Sequence, residues 1–145
     1  MTDLSHLYQD IILDHYRAKH HSGLREPYDA EVTHVNPSCG DELVLRLASD
    51  GTTIADVSYE AVGCSISQAS TSVMTDLVIG GGTSTALALY DRFLEMLEGQ
   101  GRVELDEETF GDAIAFNGVA QFPARVKCAM LGWAALKDAI VRVQR

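Results

Sequence analysis

The sequence predicts an α+β fold, a small antiparallel three-stranded sheet packed with about five helices. Three observations carry this. Between residues 30 and 62 the apolar side chains fall at alternate positions, the period of strands with one buried face. Before and after that region the apolar spacing becomes i, i+3, i+4, which is helical. An Asp50-Gly51 dipeptide joins two of the alternating runs, the mark of a tight hairpin and hence of antiparallel strands.

Taken in order, Leu4, Leu7, Tyr8, Ile11, Ile12, His15 and Tyr16 define an amphipathic helix over 4–20. Its end is basic, with Arg17, Lys19, His20 and His21 ahead of Ser22-Gly23. Cations suit a helix C-terminus, and glycine commonly stops one. The His20/His21 pair reads as a solvated helix end or a docking surface, since adjacent side chains on a helix diverge and would not share a metal. Strands are expected near 30–36, 42–49 and 53–62. Leu43, Leu45 and Leu47 alternate with Glu42, Val44 and Arg46, and Val57, Tyr59 and Ala61 with Asp56, Ser58 and Glu60. With Asp50 and Gly51 as a two-residue loop, Ser49 faces Thr52, Asp41 faces Glu60, and Cys39 faces Val62. The segments around Cys39 and Cys64 then meet at one end of the sheet.

After Cys64 a helix is expected with Ser67 as its cap, Val73, Leu77 and Val78 on its apolar side, and Gly80-Gly81-Gly82 as its stop. A second follows from about Ser84 to Glu98 on Leu87, Tyr90, Leu94 and Leu97. Residues 99–106 read as an exposed loop, and 107–119 as a shorter helix leading to Phe122-Pro123. The last helix opens near Ala124, with Ala129, Trp133, Leu136, Ile140 and Val143 on one stripe and Cys128 off it, in the first turn or so. There is no internal repeat and no linker, so residues 1–145 are expected to form one domain.

Composition excludes several classes of function. The formal charge of −10 disfavours nucleic acid, because phosphate binding relies on a basic surface, and favours a basic protein partner. No apolar run approaches the roughly 20 residues of a membrane helix. The opening "MTDLSHLYQD" has neither the basic start nor the apolar stretch of a signal peptide, so a cytoplasmic location is expected.

The three cysteines, Cys39, Cys64 and Cys128, are too few and odd in number for a disulfide framework in a reducing compartment. They remain metal ligands, reactive thiols or small buried apolar residues. Two adjoin glycines, which free the backbone to bend toward a shared centre, and the third opens a helix, where the thiolate is favoured. With Asp41 they would make a three-thiolate, one-carboxylate set suited to zinc. Such a set carries a surplus of negative charge, which Arg125 and Lys127 would offset, unless they are ordinary helix decoration. Asp41 itself is either an exchangeable oxygen ligand or a turn residue leading into the second strand.

Four stretches bear a resemblance: "LYQDIILDHYRAKHHSG", "NPSCGDELVLRL", "VGCSISQASTSVMTDLV" and "GVAQFPARVKCAMLGWAAL". From about Leu7 to Ala139 the chain resembles the SufU proteins, a branch of the IscU-like (NifU N-terminal) family of iron–sulfur cluster assembly. Scaffold members carry a histidine before the third cysteine, where this chain has Lys127. The 63 residues between Cys64 and Cys128 also exceed the scaffold spacing. Loss of the histidine removes a neutral nitrogen ligand and adds a cation, which suits a charge-rich zinc thiolate site better than a cluster seat. One departure lies in the first helix, which has "KHHSG" where the family often shows a Pro-Arg-Asn run.

The resemblance implies an IscU-like fold and zinc held by Cys39, Asp41, Cys64 and Cys128, with Arg125 as electrostatic support. It implies a SufS-type cysteine desulfurase as partner, whose histidine replaces Cys39 on the zinc so that Cys39 accepts the persulfide sulfur for downstream iron–sulfur assembly proteins. On that reading the chain is the desulfurase's sulfurtransferase partner rather than a free-standing catalyst. The alternative is a scaffold on which iron, or a [2Fe–2S] cluster, occupies the same residues.

Overall fold

The computed structural model describes residues 2–38 and 40–144, residues 2–5 by their backbone alone. Helix α1 (Thr2–Ala18) leads into strands β1 (Ala30–Asn36), β2 (Asp41–Ser49) and β3 (Ile54–Val62). Helices α2 (Ser65–Val78), α3 (Thr83–Glu98) and the one-turn α4 (Glu107–Phe110) follow, then a 3-10 helix (Gly111–Gln121) and α5 (Pro123–Val143). The three strands pair antiparallel in the order β1-β2-β3. The α+β expectation, a three-stranded sheet with five α-helices among the described residues, therefore holds.

The strict alternation of β2 buries Leu43, Leu45 and Leu47 on one face, joined by Val32 of β1 and by Val57 and Tyr59 of β3. Helices α2 and α5 cover that face, while α1, α3 and the 3-10 helix pack outside them. Trp133 of α5 is the largest fully buried side chain; it stacks on Phe93 of α3 at 4.8 Å, and Phe116 meets Phe93 edge-on at 5.9 Å. Gly132 allows α5 to approach α2: a Cβ there would stand 2.2 Å from Thr71 Oγ1.

The hairpin register differs from the expected one by three residues. Glu42 faces Val62 and Val44 faces Glu60, with an irregularity at Ala48/Ser49, so four residues link Ser49 to Ile54 instead of two. The Asp50 carboxylate accepts the N–H groups of Thr52 and Thr53, an Asx-type turn that widens the loop. The start of α3 also claims it: Thr83 N–H bonds Thr52 O at 2.9 Å, and the Thr83 hydroxyl donates to Gly51 O.

Other differences are local. Ser67 does not cap α2, since Cys64 is the cap residue and the Ser67 hydroxyl bonds back to Cys64 O. Most of 107–119 is 3-10 rather than α-helix, and the 99–106 loop buries part of Val103 and Leu105 against the core. Helix α1 stops at Ala18, because Lys19 (φ 46) and His21 (φ 65) take left-handed backbone. Pro123 occupies the first turn of α5, where a missing N–H costs nothing, and Cys128 consequently lies in the second turn.

Candidate metal centre

The period that buries the leucines of β2 also buries a carboxylate. Asp41 opens the strand on the same face as Leu43 and is 0 % exposed. An ionised carboxylate out of water is costly unless hydrogen-bonded and paired. Its Oδ1 accepts the Cys64 N–H at 2.8 Å, and its Oδ2 stands 3.8 Å from Cys64 Sγ. Among the described residues no Lys, Arg or His side chain forms an ion pair with it.

Gly63 makes this approach possible. One step beyond the Glu42–Val62 pair, it has φ +140, and a Cβ on it would stand 2.0 Å from Asp41 Oδ1. Cys64 then begins α2 at its N-terminus, half-buried. Cys128 comes from α5, 2 % exposed, with its Sγ 3.7 Å from Ala124 O and 3.9 Å from the Asn36 amide nitrogen. Asn36 ends β1 opposite Asp41, and its Oδ1 accepts Ser38 N–H, shaping the turn toward residue 39. Sequence reasoning passed over Asn36; the only signal for it was its place at the end of a strand, two residues before the "SCGD" turn.

Three elements thus converge: donor atoms of Asp41, Cys64 and Cys128 all lie within 4.8 Å of one another. Tetrahedral zinc with thiolates at about 2.3 Å and a carboxylate oxygen at about 2.1 Å sets donors roughly 3.6–3.8 Å apart. The 3.8 Å between Asp41 Oδ2 and Cys64 Sγ matches, so these residues fit three of the four positions. Cys39, the fourth expected ligand, lies outside the described residues. Arg125 is exposed; its guanidinium sits over the Phe122 ring at 5.7 Å and lines a groove with Tyr8, Ile12 and Ile66. Val35 and Val62, which both face Glu42, and Phe122 of the groove are exposed apolar side chains.

A thiol–carboxylate cluster able to hold a metal ion, at one end of a three-stranded sheet backed by helices, defines the class: a small α+β protein with a candidate metal centre. Residues 7–129 match the NifU-like N terminal domain, and the chain belongs to that family. It is 44% identical over 142 residues to the iron–sulfur cluster assembly scaffold protein IscU of Streptococcus pyogenes serotype M1, covering 98% of this chain and 87% of that protein. It is 39% identical over 141 residues to the zinc-dependent sulfurtransferase SufU of Bacillus subtilis strain 168, covering 97% and 93%. The crystal structure of an iron–sulfur cluster assembly scaffold protein for the SUF system from Fervidobacterium islandicum AW-1 superimposes with a TM-score of 0.82 at 38% identity, over 90% of this chain and 94% of that one. The resemblance in the motifs is thereby shown, and with it a place in iron–sulfur cluster assembly. No helix of the described residues is long and apolar enough to cross a membrane.

Proposed function

We propose that the protein is a zinc-dependent sulfur acceptor that takes persulfide sulfur from a SufS-type cysteine desulfurase in the cytoplasm and passes it to downstream iron–sulfur assembly proteins. One observation carries most of this: a buried carboxylate without an ion-pair partner among the described residues lies with two thiols from separate helices in a three-donor set, two residues after a third cysteine. Cys39, Asp41, Cys64 and Cys128 would hold the ion. Bound zinc supplies a thiolate that is deprotonated yet held until a donor is docked.

The remaining steps belong to the chain. Cys64 caps α2 and Cys128 lies within α5, so helices hold both in place. Cys39 lies between β1 and β2 in sequence, two residues before Asp41. Its thiolate attacks the terminal sulfur of the donor persulfide; the donor's S–S bond breaks, its cysteine departs as thiolate, and Cys39 carries the persulfide. Asp41, hydrogen-bonded to Cys64 N–H, stays in place. Arg125 offsets the excess negative charge of the set from the rim. Val35 and Val62, exposed on either side of Glu42 at the end of the sheet that carries Asp41, and Phe122 in the Arg125 groove support a docked protein partner, since exposed apolar side chains favour association.

Cys39→Ser tests the reading. Desulfurase turnover should lose its stimulation and the chain its persulfide label; survival of both would remove Cys39 as the acceptor. A second reading, a [2Fe–2S] scaffold, has the support of the 44% identity to a protein named as an iron–sulfur cluster assembly scaffold. Anaerobic reconstitution separates the two. A stable, stoichiometric cluster on metal-free protein, with no stimulation of the desulfurase by the zinc form, would overturn the acceptor.

A further inference from the structure

A second cluster of metal-ligating side chains lies at the other end of α2, where the chain leaves α1. The sequence predicts that His20 and His21 diverge as helix neighbours, but the helix has ended by then. Left-handed backbone at Lys19 and His21 turns both imidazoles onto one carboxylate. His20 Nδ1 is 2.6 Å from Asp76 Oδ2, and His21 Nδ1 is 3.5 Å from Asp76 Oδ1. Beneath them His15, 4% exposed, spans Ser72 Oγ (2.8 Å from Nδ1) and Asp112 Oδ2 (2.8 Å from Nε2). The His15 and His20 rings are 4.7 Å apart, and donor atoms of His15, His20 and Asp76 all lie within 4.8 Å of one another.

The hydrogen bonds define what each donor offers. Asp112 accepts from His15 Nε2–H, so Nδ1 keeps its lone pair and takes the Ser72 hydroxyl proton. Ser72 Oγ in turn accepts the His20 backbone N–H at 2.9 Å. A carboxylate behind a histidine, fixing its tautomer and raising its basicity, is the usual outer partner of a metal-bound imidazole. The Tyr59 hydroxyl, on a side chain 1% exposed, makes no hydrogen bond of good geometry among the described residues, although the Ser72 hydroxyl lies near enough to act on it. Burial pushes the Tyr59 phenol up to about 12, the Ser72 hydroxyl works against that rise, and the Asp76 carboxylate adds to it.

We propose that His15, His20 and Asp76 form a second site, for a borderline divalent transition-metal ion of the zinc, cobalt or nickel kind. Two imidazoles and one carboxylate suit such an ion better than calcium or magnesium, which select oxygen. Asp76 and Asp112 together balance its charge. Binding replaces the His20 Nδ1–H···Asp76 hydrogen bond and the Ser72 O–H···Nδ1 bond of His15 by three bonds to the ion; the His20 proton moves to Nε2 or leaves for solvent, and the Ser72 hydroxyl is released. Affinity therefore rises with pH. Asp76 is twelve helical positions from Cys64, about 18 Å at 1.5 Å per residue, so the two centres fill independently. The ion would clasp the segment after α1 to α2.

Titration of the whole, metal-free chain with Co2+ separates this site from the thiolate centre. Only thiolate-bound cobalt shows intense sulfur-to-metal charge transfer in the near ultraviolet, and a nitrogen–oxygen site shows weak visible bands alone. The expected result is two ions per chain, the second without charge transfer. His20→Ala and Asp76→Asn should each lose that second ion and keep the first. His20→Gln, which still donates to Asp76 but is a poor ligand, should lose it too and excludes a loss caused by misfolding. A wild type that binds no ion free of charge transfer, or His20→Gln and Asp76→Asn that each still bind one, overturns the proposal. Failure of the thiolate centre is read separately, in the charge-transfer band.

Discussion

Gly63→Ala is expected to empty the thiolate–carboxylate centre without replacing any ligand. The new Cβ would stand 2.0 Å from Asp41 Oδ1, 2.7 Å from its Cγ and 2.9 Å from its Cα. Rotating the carboxylate relieves the first two contacts but not the third, which is to backbone held by the Glu42–Val62 pairing. Asp41 must swing away or the ends of β2 and β3 must part. Alanine at φ +140 also carries strain of about 1–3 kcal/mol. Loss of the Cys64 N–H bond to a buried carboxylate adds about 1.5–3 kcal/mol. With relaxation a net of roughly 3 kcal/mol remains, and at about 2–4 °C per kcal/mol the Tm falls by roughly 6–12 °C. Removing a zinc ligand should weaken binding by more than the roughly 10- to 100-fold typical of outer partners. Gly40→Ala is the control, because Gly40 also has positive φ (+70) but its Cβ meets nothing within 4 Å. That change should cost only about 1 kcal/mol and leave the metal in place. Elemental analysis and thermal melting of the two variants decide the matter. A Gly63→Ala protein with full metal content and an unchanged Tm would refute the reasoning.

Three further outcomes follow from the same packing. Asp41→Asn keeps an oxygen for the Cys64 N–H but removes a buried charge, so metal-free protein should unfold no earlier in denaturant while zinc binds at least about tenfold more weakly in a competition assay. Gly132→Ala drives a methyl group to 2.2 Å from Thr71 Oγ1 and should cost about 1–3 kcal/mol in urea unfolding. Adding Thr71→Ala removes that atom, and strictly additive losses in the double variant would disprove the contact. Asp56 is held below the usual carboxylate range by its hydrogen bond to Arg25, so its contribution is present above the unfolded value of 3.8 and is lost as pH falls through the lower folded one. The pair is more than a third exposed, which limits that contribution to less than about 1 kcal/mol, and Asp56→Asn should flatten stability against pH only below about pH 4.

Strand existence was legible because alternation in β2 and β3 is a local signal with one buried face. The pairing between them was not, because the loop is shaped by partners elsewhere. Asp50-Gly51 reads as a two-residue turn, yet Thr83, more than thirty positions on, binds Gly51 and Thr52 and holds the loop open. The same limit explains His20 and His21. Helical spacing says that they diverge, and only the left-handed residues at 19 and 21 bring them together. Neither position is glycine, so the sequence carries no mark of the break.

The register shift strengthens the site that the motifs suggested. In the expected pairing Asp41 faces Glu60, four positions short of Cys64; in the observed one it lies against Gly63, with Cys64 N–H on its carboxylate. The glycine before Cys64 reads, from sequence, as freedom for the backbone to bend. Its larger consequence is room: without a side chain at 63, the apolar alternation of β2 can deliver a carboxylate to the end of the sheet and leave it buried. That combination has no stabilising value in an empty core, since a buried carboxylate lacking an ion-pair partner costs free energy that leucine in its place would not. A chain that keeps aspartate inward, glycine beside it and two thiols within 4.8 Å retains the donor set that the proposed zinc centre requires, at a cost to its metal-free stability.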